Sequence, residues 1–583
     1  MFTQKVFALL SAKERVVLLV LLFMFFASLS WVLGRVYLKK TMARPAPGGT
    51  YVEGIVGKPE YINPILVGSN EADADLANLV YSGLMKYNEK QELVNDVVFN
   101  WSINEDKTEY TMDLRDDVMF HDGTQLTADD VLFTINLIKN PRYRSPLMPN
   151  WVNIEARADG KSRVIFSLKK PFVPFLHNLT FGILPKHVWE NVNPEEFSLS
   201  EFNKKPIGSG PYSFVRLEKD KDGAITQIVL KSNKKHYSQK PYIETLLFKF
   251  YANEPAAIDA LNGREIMGVN NISHQNWDKI DQNAVNFNEV FQSRYFAVFF
   301  NINQSKALAE DSAREALAWA TCRKEIIDEA LRGKGAEINH PVLTVPMMGV
   351  EGFEERGCSV EKGKEILEKA GWKLKDYKEE TRENDEQTEE NKDENSQEQE
   401  KEKRQVYTNS AKEPLVFTLS TPDYPELIKT AEVLKRQWES LGAVVKVEVL
   451  SIGDLNNTKI EPRAYDALLF GEILGADPDP RPYWHSSERK SPGQNLANYN
   501  NAEADELLDR AREEINEDVR SEMYRKFQLL INRDVPAVFL YSPYYLYPVD
   551  KKVMGINLEA INTPSERLSE IHDWYLTKRW VKK

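Results

Sequence analysis

Between residues 101 and 139 the spacing of apolar positions changes period. Tyr110, Met112 and Leu114 alternate with polar residues as a half-buried strand does, and Val118 and Phe120 resume the alternation after Asp116-Asp117. His121-Asp122-Gly123 is turn chemistry, with Gly123 able to take positive φ. Val131, Ile135 and Ile138 then fall on one helical face. That helix is entered through Thr127 and Asp130 at capping-box spacing and stopped by Asn140-Pro141. The pattern predicts two strands, a turn and a helix. Further on, residues 415–419 alternate as a strand. Leu427, Ala431, Leu434 and Trp438 mark a helix, and the valines of residues 443–450 mark another strand. Strand, helix and strand in that order favour a parallel α/β sheet. The stretch "DVPAVFLYSPYYLYPV" is too aromatic and proline-broken for a helix and reads as strands. No internal repeat is evident.

Two segments depart from this pattern. Residues 16–34 carry no charge, are dominated by Val, Leu and Phe, and lie between Arg15 and Arg35. About 19 residues at 1.5 Å each span roughly 28 Å, enough for a bilayer core. Trp31 and Tyr37 suit the interface. The reading is an uncleaved single-pass anchor in a cell membrane. A cleaved signal peptide, with residues 27–30 as its small-residue cleavage region, competes with it. Lys5, Lys13 and Arg15 on one side face Arg35, Lys39, Lys40 and Arg44 on the other, so flanking charge does not set the orientation. Residues 41–50, with Pro45, Pro47, Gly48 and Gly49, read as a linker. Residues 376–404 hold 13 acidic and six basic side chains with Tyr377 the sole apolar one, so they are expected to be a disordered loop insertion.

That insertion supplies about half of the net charge of −13, which leaves the folded part mildly acidic and argues against a nucleic-acid surface. Cys322 and Cys358 fit no zinc spacing. Burial as small hydrophobes is the favoured reading, with a disulfide between them left open. The chain has no G-x-S-x-G elbow, HExxH or phosphate-binding loop, and its eight histidines include no i,i+4 pair. Neither an enzyme nor a resident cofactor or metal is expected. The most suggestive cluster is "FGEILGADPDPRPYWHSSE", residues 470–488, where a buried strand opens into a proline-stiffened loop. Ligands of α/β sheets bind outside the carboxyl ends of strands. Asp477, Asp479, Tyr483, Trp484, His485 and Glu472 are therefore the candidate ligand-binding residues. The competing reading makes Asp-Pro turn chemistry and Trp484 core.

The run "WSINEDKTEYTMDLRDDVMFHDGTQLTADDVLFT", residues 101–134, closely resembles the signature of the family 5 extracellular solute-binding proteins, the peptide- and nickel-binding subunits of ABC importers. "ILPKHVW", "PIGSGPY", "NKKHYSQKPYIETLLFKF", "ALNGREI", "AREALAWATCRKEIIDEALRGKG", "VEKGKEILEKAGW" and "NYNNAEADELLDRARE" resemble further family segments, in the family's order. The resemblance spans roughly residues 54–540. It implies an α/β, two-lobed periplasmic-binding-protein-like fold of class II type with an extra subdomain, here preceded by one transmembrane helix. It also implies export, which puts the N-terminus in the cytoplasm and everything after Lys40 in the extracytoplasmic space. The implied division is a tail to residue 15, the anchor, a linker at 35–50 and lobe I at 51–290 with a subdomain near 84–205. Lobe II follows at 291–534, and 535–583 returns to lobe I. It implies a monomer that captures peptides in the interlobe cleft for ABC permease subunits, with Asp477 or Asp479 against the peptide α-ammonium and Tyr483, Trp484 and His485 lining the cleft. The sequence departs from the family at Glu472, where a tryptophan is common after the strand glycine, and at Ala476, where a first aspartate would align. Nickel or a metal chelate is the alternative ligand within this fold. A surface interaction or chaperone-like module without a transporter is the alternative outside it.

Overall fold

The computed structural model describes residues 11–68, 70–344, 347, 349–377, 404–475, 477 and 479–582. Two mixed sheets organise them. The first has eight strands in the order Ala560–Ile561, Val285–Gln292, Tyr545–Asp550, Gly268–Val269, Thr50–Val56, Thr245–Tyr251, Ile225–Ser232 and Tyr212–Lys219. Thr50–Val56 runs parallel to both of its neighbours. A separate four-stranded antiparallel sheet, Val98–Ile103, Glu109–Leu114, Arg163–Leu168 and Ile154–Ala158, forms the subdomain. The helix Ala128–Lys139 packs on it and buries Val131, Ile135 and Ile138. Its predicted cap forms, with the Asp130 carboxylate accepting the Thr127 N–H at 2.9 Å. Val118 and Phe120 are buried without forming a strand; Met119 makes one isolated bridge to Gln125.

The second lobe is built on six strands in the order Gly335–Glu337, Ala537–Pro543, Arg294–Phe300, Ala467–Ile473, Val416–Pro422 and Val444–Leu450. The last two are parallel and joined by the helix Pro425–Leu441, whose Leu427, Ala431, Leu434 and Trp438 are buried as their spacing predicts. That helix covers one face together with Asp311–Ala320 and Arg323–Leu331. Ala502–Glu513 and Glu517–Asp534 cover the other.

The chain passes between the lobes on two neighbouring strands, at Ser293 and at Tyr544. Ala537–Pro543 belongs to the second lobe, so the return to the first begins at Tyr545, later than residue 535. An aromatic strand pattern does not say which of two sheets it joins.

Two further expectations are corrected. Residues 41–46 are no linker: Thr41–Ala46 pairs antiparallel with Thr577–Lys582, Thr41 opposite Lys582 and Ala46 opposite Thr577. Pro and Gly gave the linker reading, and a partner strand at the far end of the chain leaves no local signal. Cys322 and Cys358 are joined as a disulfide, with Cys358 brought back by its N–H donating to the Thr321 carbonyl at 2.9 Å. The acidic insertion leaves the body through a strand pair, Lys373–Tyr377 with Arg404–Thr408. Asp376, Tyr377 and Arg404 are therefore ordered, and the rest of that expectation lies outside the described residues. The helix Ala12–Lys40 starts at a Ser11/Glu14 capping box, and its window Val16–Arg35 has a mean hydropathy of 2.7 with none of it buried.

Candidate ligand cleft

Ala467–Ile473 is an interior strand of the second lobe, and the loop beyond it carries the carboxylates. The two aspartates have different fates. Asp479 Oδ2 takes a paired contact from Arg512, Nε at 2.7 Å and the terminal nitrogen at 2.6 Å, while its Oδ1 accepts the Arg481 N–H at 3.1 Å. It caps a turn and pins the helix Ala502–Glu513. Asp477 is 11% exposed, and among the described residues neither oxygen has a hydrogen-bond partner. Burial, with Asp479 adding to it, pushes the Asp477 carboxyl up to about 7 against the pull of Arg520 and Arg512.

Asp477 faces the first-lobe side across a narrow gap. His177 Nε2 lies 3.8 Å from Asp477 Oδ2, and His177 Nδ1 lies 2.6 Å from the Tyr87 hydroxyl. Burial pushes His177 down to about 4, so at neutral pH its ring is uncharged and gives the carboxylate no counter-ion. Around this contact the lobes meet through weak pairs: Lys107 with Glu514 at 3.9 Å, Lys170 with Glu513 at 3.8 Å, and the Arg512 guanidinium 5.5 Å from the Phe172 ring centre. Exposed pairs of this kind contribute about 0–1 kcal/mol each, so they close the rim without locking it.

The remaining candidates are dispersed. Trp484 is 1% exposed among Phe299, Tyr499, Phe527 and Phe539, so it is core rather than cleft lining, because the turn after Pro480 aims it into the second-lobe interior. His485 Nδ1 contacts Ser487 Oγ at 2.9 Å, and its Nε2 lies 3.4 Å from Asp509, facing the helix Ala502–Glu513. Tyr483 donates its hydroxyl to the Ile473 carbonyl at 2.6 Å and stays half-buried. Glu472 is buried on its strand and accepts the Tyr295 hydroxyl; burial pushes its carboxyl up to about 8, so it is protonated at neutral pH.

Sequence reasoning missed His177, Tyr87 and Arg294. The first two lie far from 477 in sequence, and only the closed lobes bring them there. Arg294 opens a strand just past the Ser293 crossing, its Nε buried without a partner among the described residues and under the fields of Glu71 and Glu426. A lone Arg before "YFAVFF" was the one available signal.

The sequence model described as "Bacterial extracellular solute-binding proteins, family 5 Middle" matches residues 92–495. The chain belongs to family 5 of the bacterial extracellular solute-binding proteins. This solute-binding protein is 28% identical over 555 residues to the oligopeptide-binding protein AppA of Bacillus subtilis, covering 93% of this chain and 94% of that one. The crystal structure of that relative in complex with a nonapeptide matches with a TM-score of 0.65 at 25% identity, over 92% and 100% of the two chains. NikZ of Campylobacter jejuni, solved with Ni(L-His), matches with a TM-score of 0.66 at 26% identity, over 90% and 99%. The solute-binding protein is thus a two-lobed periplasmic binding protein in a family of substrate-binding proteins rather than enzymes.

Proposed function

We propose that this protein captures peptides by their free N-terminus between its two lobes and presents them to an ABC permease from a membrane anchor. The observation that carries the reading is Asp477, a buried carboxylate at the lobe contact with no hydrogen-bond partner among the described residues. A buried charge without a partner is costly, and a cationic ligand group would remove that cost. A peptide α-ammonium, with an ordinary pKa of about 7.7–8.0, fits a carboxylate that titrates near 7. The lobe crossings at Ser293 and Tyr544 give a two-strand hinge for closure. Peptide rather than nickel is favoured because His177 and Asp477 supply only two donors, and the Nδ1 of His177 is taken by Tyr87. The cluster Glu570, His572 and Asp573 lies on the C-terminal segment, away from the lobe contact.

The exposed apolar helix supports the anchor reading, and the disulfide suits an oxidising extracytoplasmic compartment. Native mass spectrometry of the full-length protein in detergent tests the ligand. Co-purified peptides with free N-termini are expected; a bound metal chelate and no peptide would overturn the reading. Cell fractionation tests the anchor. A membrane-bound product retaining residues before 16 is expected, and a soluble product starting near Ser30 or Trp31 would contradict it.

A further inference from the structure

The ribbon formed by Thr41–Ala46 and Thr577–Lys582 follows the apolar helix without an intervening loop. A two-stranded ribbon alone is marginal in water and needs a second surface to hold it. Among the described residues, the body leaves most of the ribbon open. Met42, Ala43 and Arg44 are exposed on one strand, and Thr577, Lys578, Arg579, Trp580 and Lys582 on the other, with Trp580 52% exposed. Directly paired residues share a face. One face therefore carries Arg44 beside Arg579 and Met42 beside Val581, and the other carries Trp580 between Lys578 and Lys582.

The charge is one-sided. From Arg35 to Val52 and from Trp574 to Lys583 the sequence has no Asp or Glu. Among the described residues, Lys40, Arg44, Lys578, Arg579 and Lys582 pair with no carboxylate. The position is equally specific. Trp580, opposite Ala43, stands three residues beyond the helix end, roughly 10 Å at about 3.3 Å each. The helix outruns its apolar window by five residues, enough to cross the headgroup layer, so the ribbon's cations start within roughly one Debye length, about 8–10 Å, of the headgroup surface.

We propose that this ribbon docks on anionic lipid headgroups, with Trp580 in the interface and Lys578, Arg579, Lys582, Lys40 and Arg44 on the phosphates. The proposal rests on the reading of the apolar helix as a membrane span. Its consequence is mechanical. The ribbon leads through Gly48 and Gly49 into the strand Thr50–Val56, and on the other side into Trp574, which is fully buried against Tyr51 and Tyr547. Lobe I is thereby held at a fixed height and tilt on the membrane, and lobe II is the part that swings about the hinge.

The test uses the full-length protein reconstituted into vesicles carrying brominated lipid, which quenches tryptophans at membrane depth. Trp31→Phe reports the helix and Trp580→Phe the ribbon. In vesicles containing phosphatidylglycerol, each substitution is expected to remove a separate part of the quenching. The triple variant Lys578→Gln/Arg579→Gln/Lys582→Gln is expected to lose most of the Trp580 part, and zwitterionic vesicles or raised salt to weaken it similarly, by about fivefold or more. Quenching lost in Trp31→Phe but unchanged in Trp580→Phe would overturn the docking while leaving the anchor standing. Quenching that neither substitution changes would overturn the anchor and the docking together. Equal Trp580 quenching in anionic and zwitterionic vesicles would overturn the assignment to anionic headgroups.

Discussion

Two groups of buried carboxylates in this molecule are treated in opposite ways. In lobe I, Arg567 is wholly buried and forks onto Asp75 at 2.7 and 2.6 Å and onto Glu53 at 2.9 Å. Glu53 Oε2 also accepts the hydroxyls of Tyr51 at 2.5 Å and Tyr547 at 3.0 Å. Burial opposes the Arg567 charge, but Asp75, Tyr545 and Glu53 hold it well above its ordinary value. Every partner in this cluster is supplied by the chain, and it ties the C-terminal segment to the first-lobe sheet. In lobe II, Asp477 is nearly as buried and has an uncharged histidine for a neighbour. Where the fold supplies the counter-ion the group serves the fold. Where no cation reaches hydrogen-bond distance among the described residues, the proposed reading leaves the group for a ligand.

The strongest way to break this contrast is to remove the counter-ion in lobe I. Arg567→Met should cost about 3–5 kcal/mol of stability, because it strands two buried carboxylates. Denaturant unfolding measures it, and a loss below about 1 kcal/mol would mean the cluster is not what holds the segment. Asp477→Asn should act on binding instead, weakening peptides by about 2–5 kcal/mol, roughly 30-fold to several thousand-fold, by calorimetric titration. Asp479→Asn should instead loosen the helix Ala502–Glu513, since Arg512 is its partner.

The pH dependence sharpens the same point. The folded-state pKa of Asp477, about 7, lies above the ordinary carboxylate value of about 3.9, so between these values the folded chain keeps a proton the unfolded chain has lost. That stabilisation is present below about pH 4 and is lost as pH rises through about 7, and Glu472 adds the same sign up to about pH 8. Without ligand, Asp477→Asn should therefore be at least as stable as the parent at pH 8. Peptide affinity should run the other way, falling by about tenfold for each unit below pH 7 as the carboxyl takes its proton. The smallest expected effect is at the rim. Lys107→Gln with Lys170→Gln should shift closure by about 0.2–1 kcal/mol, read as a change in peptide dissociation rate that fades in high salt.

What the sequence revealed follows from the range of its signals. The helix Ala128–Lys139 and the strand–helix–strand from Val416 to Leu450 were readable because their periodicities and caps are local. The proline-stiffened loop after Ala467–Ile473 was readable as a ligand position, because strand ends in α/β sheets carry such loops. Which aspartate lacks a partner was not readable, because the answer lies in Arg512, more than thirty residues away. Trp484 was ambiguous for a related reason: an aromatic after Asp-Pro fits core and cleft equally until the sheet behind it is placed. The Thr41–Ala46 ribbon and the Cys322–Cys358 bond depend on pairings that composition does not encode.

The central claim, that Asp477 holds the peptide ammonium, is tested most directly by a two-by-two titration of one peptide, free or N-acetylated, against the parent protein and Asp477→Asn. Acetylation removes the charge that Asp477 would pair. The account predicts that acetylation weakens binding to the parent by at least about tenfold but changes binding to Asp477→Asn by less than about twofold, a coupling above about 1 kcal/mol. Equal losses in both proteins, or none in either, would contradict it.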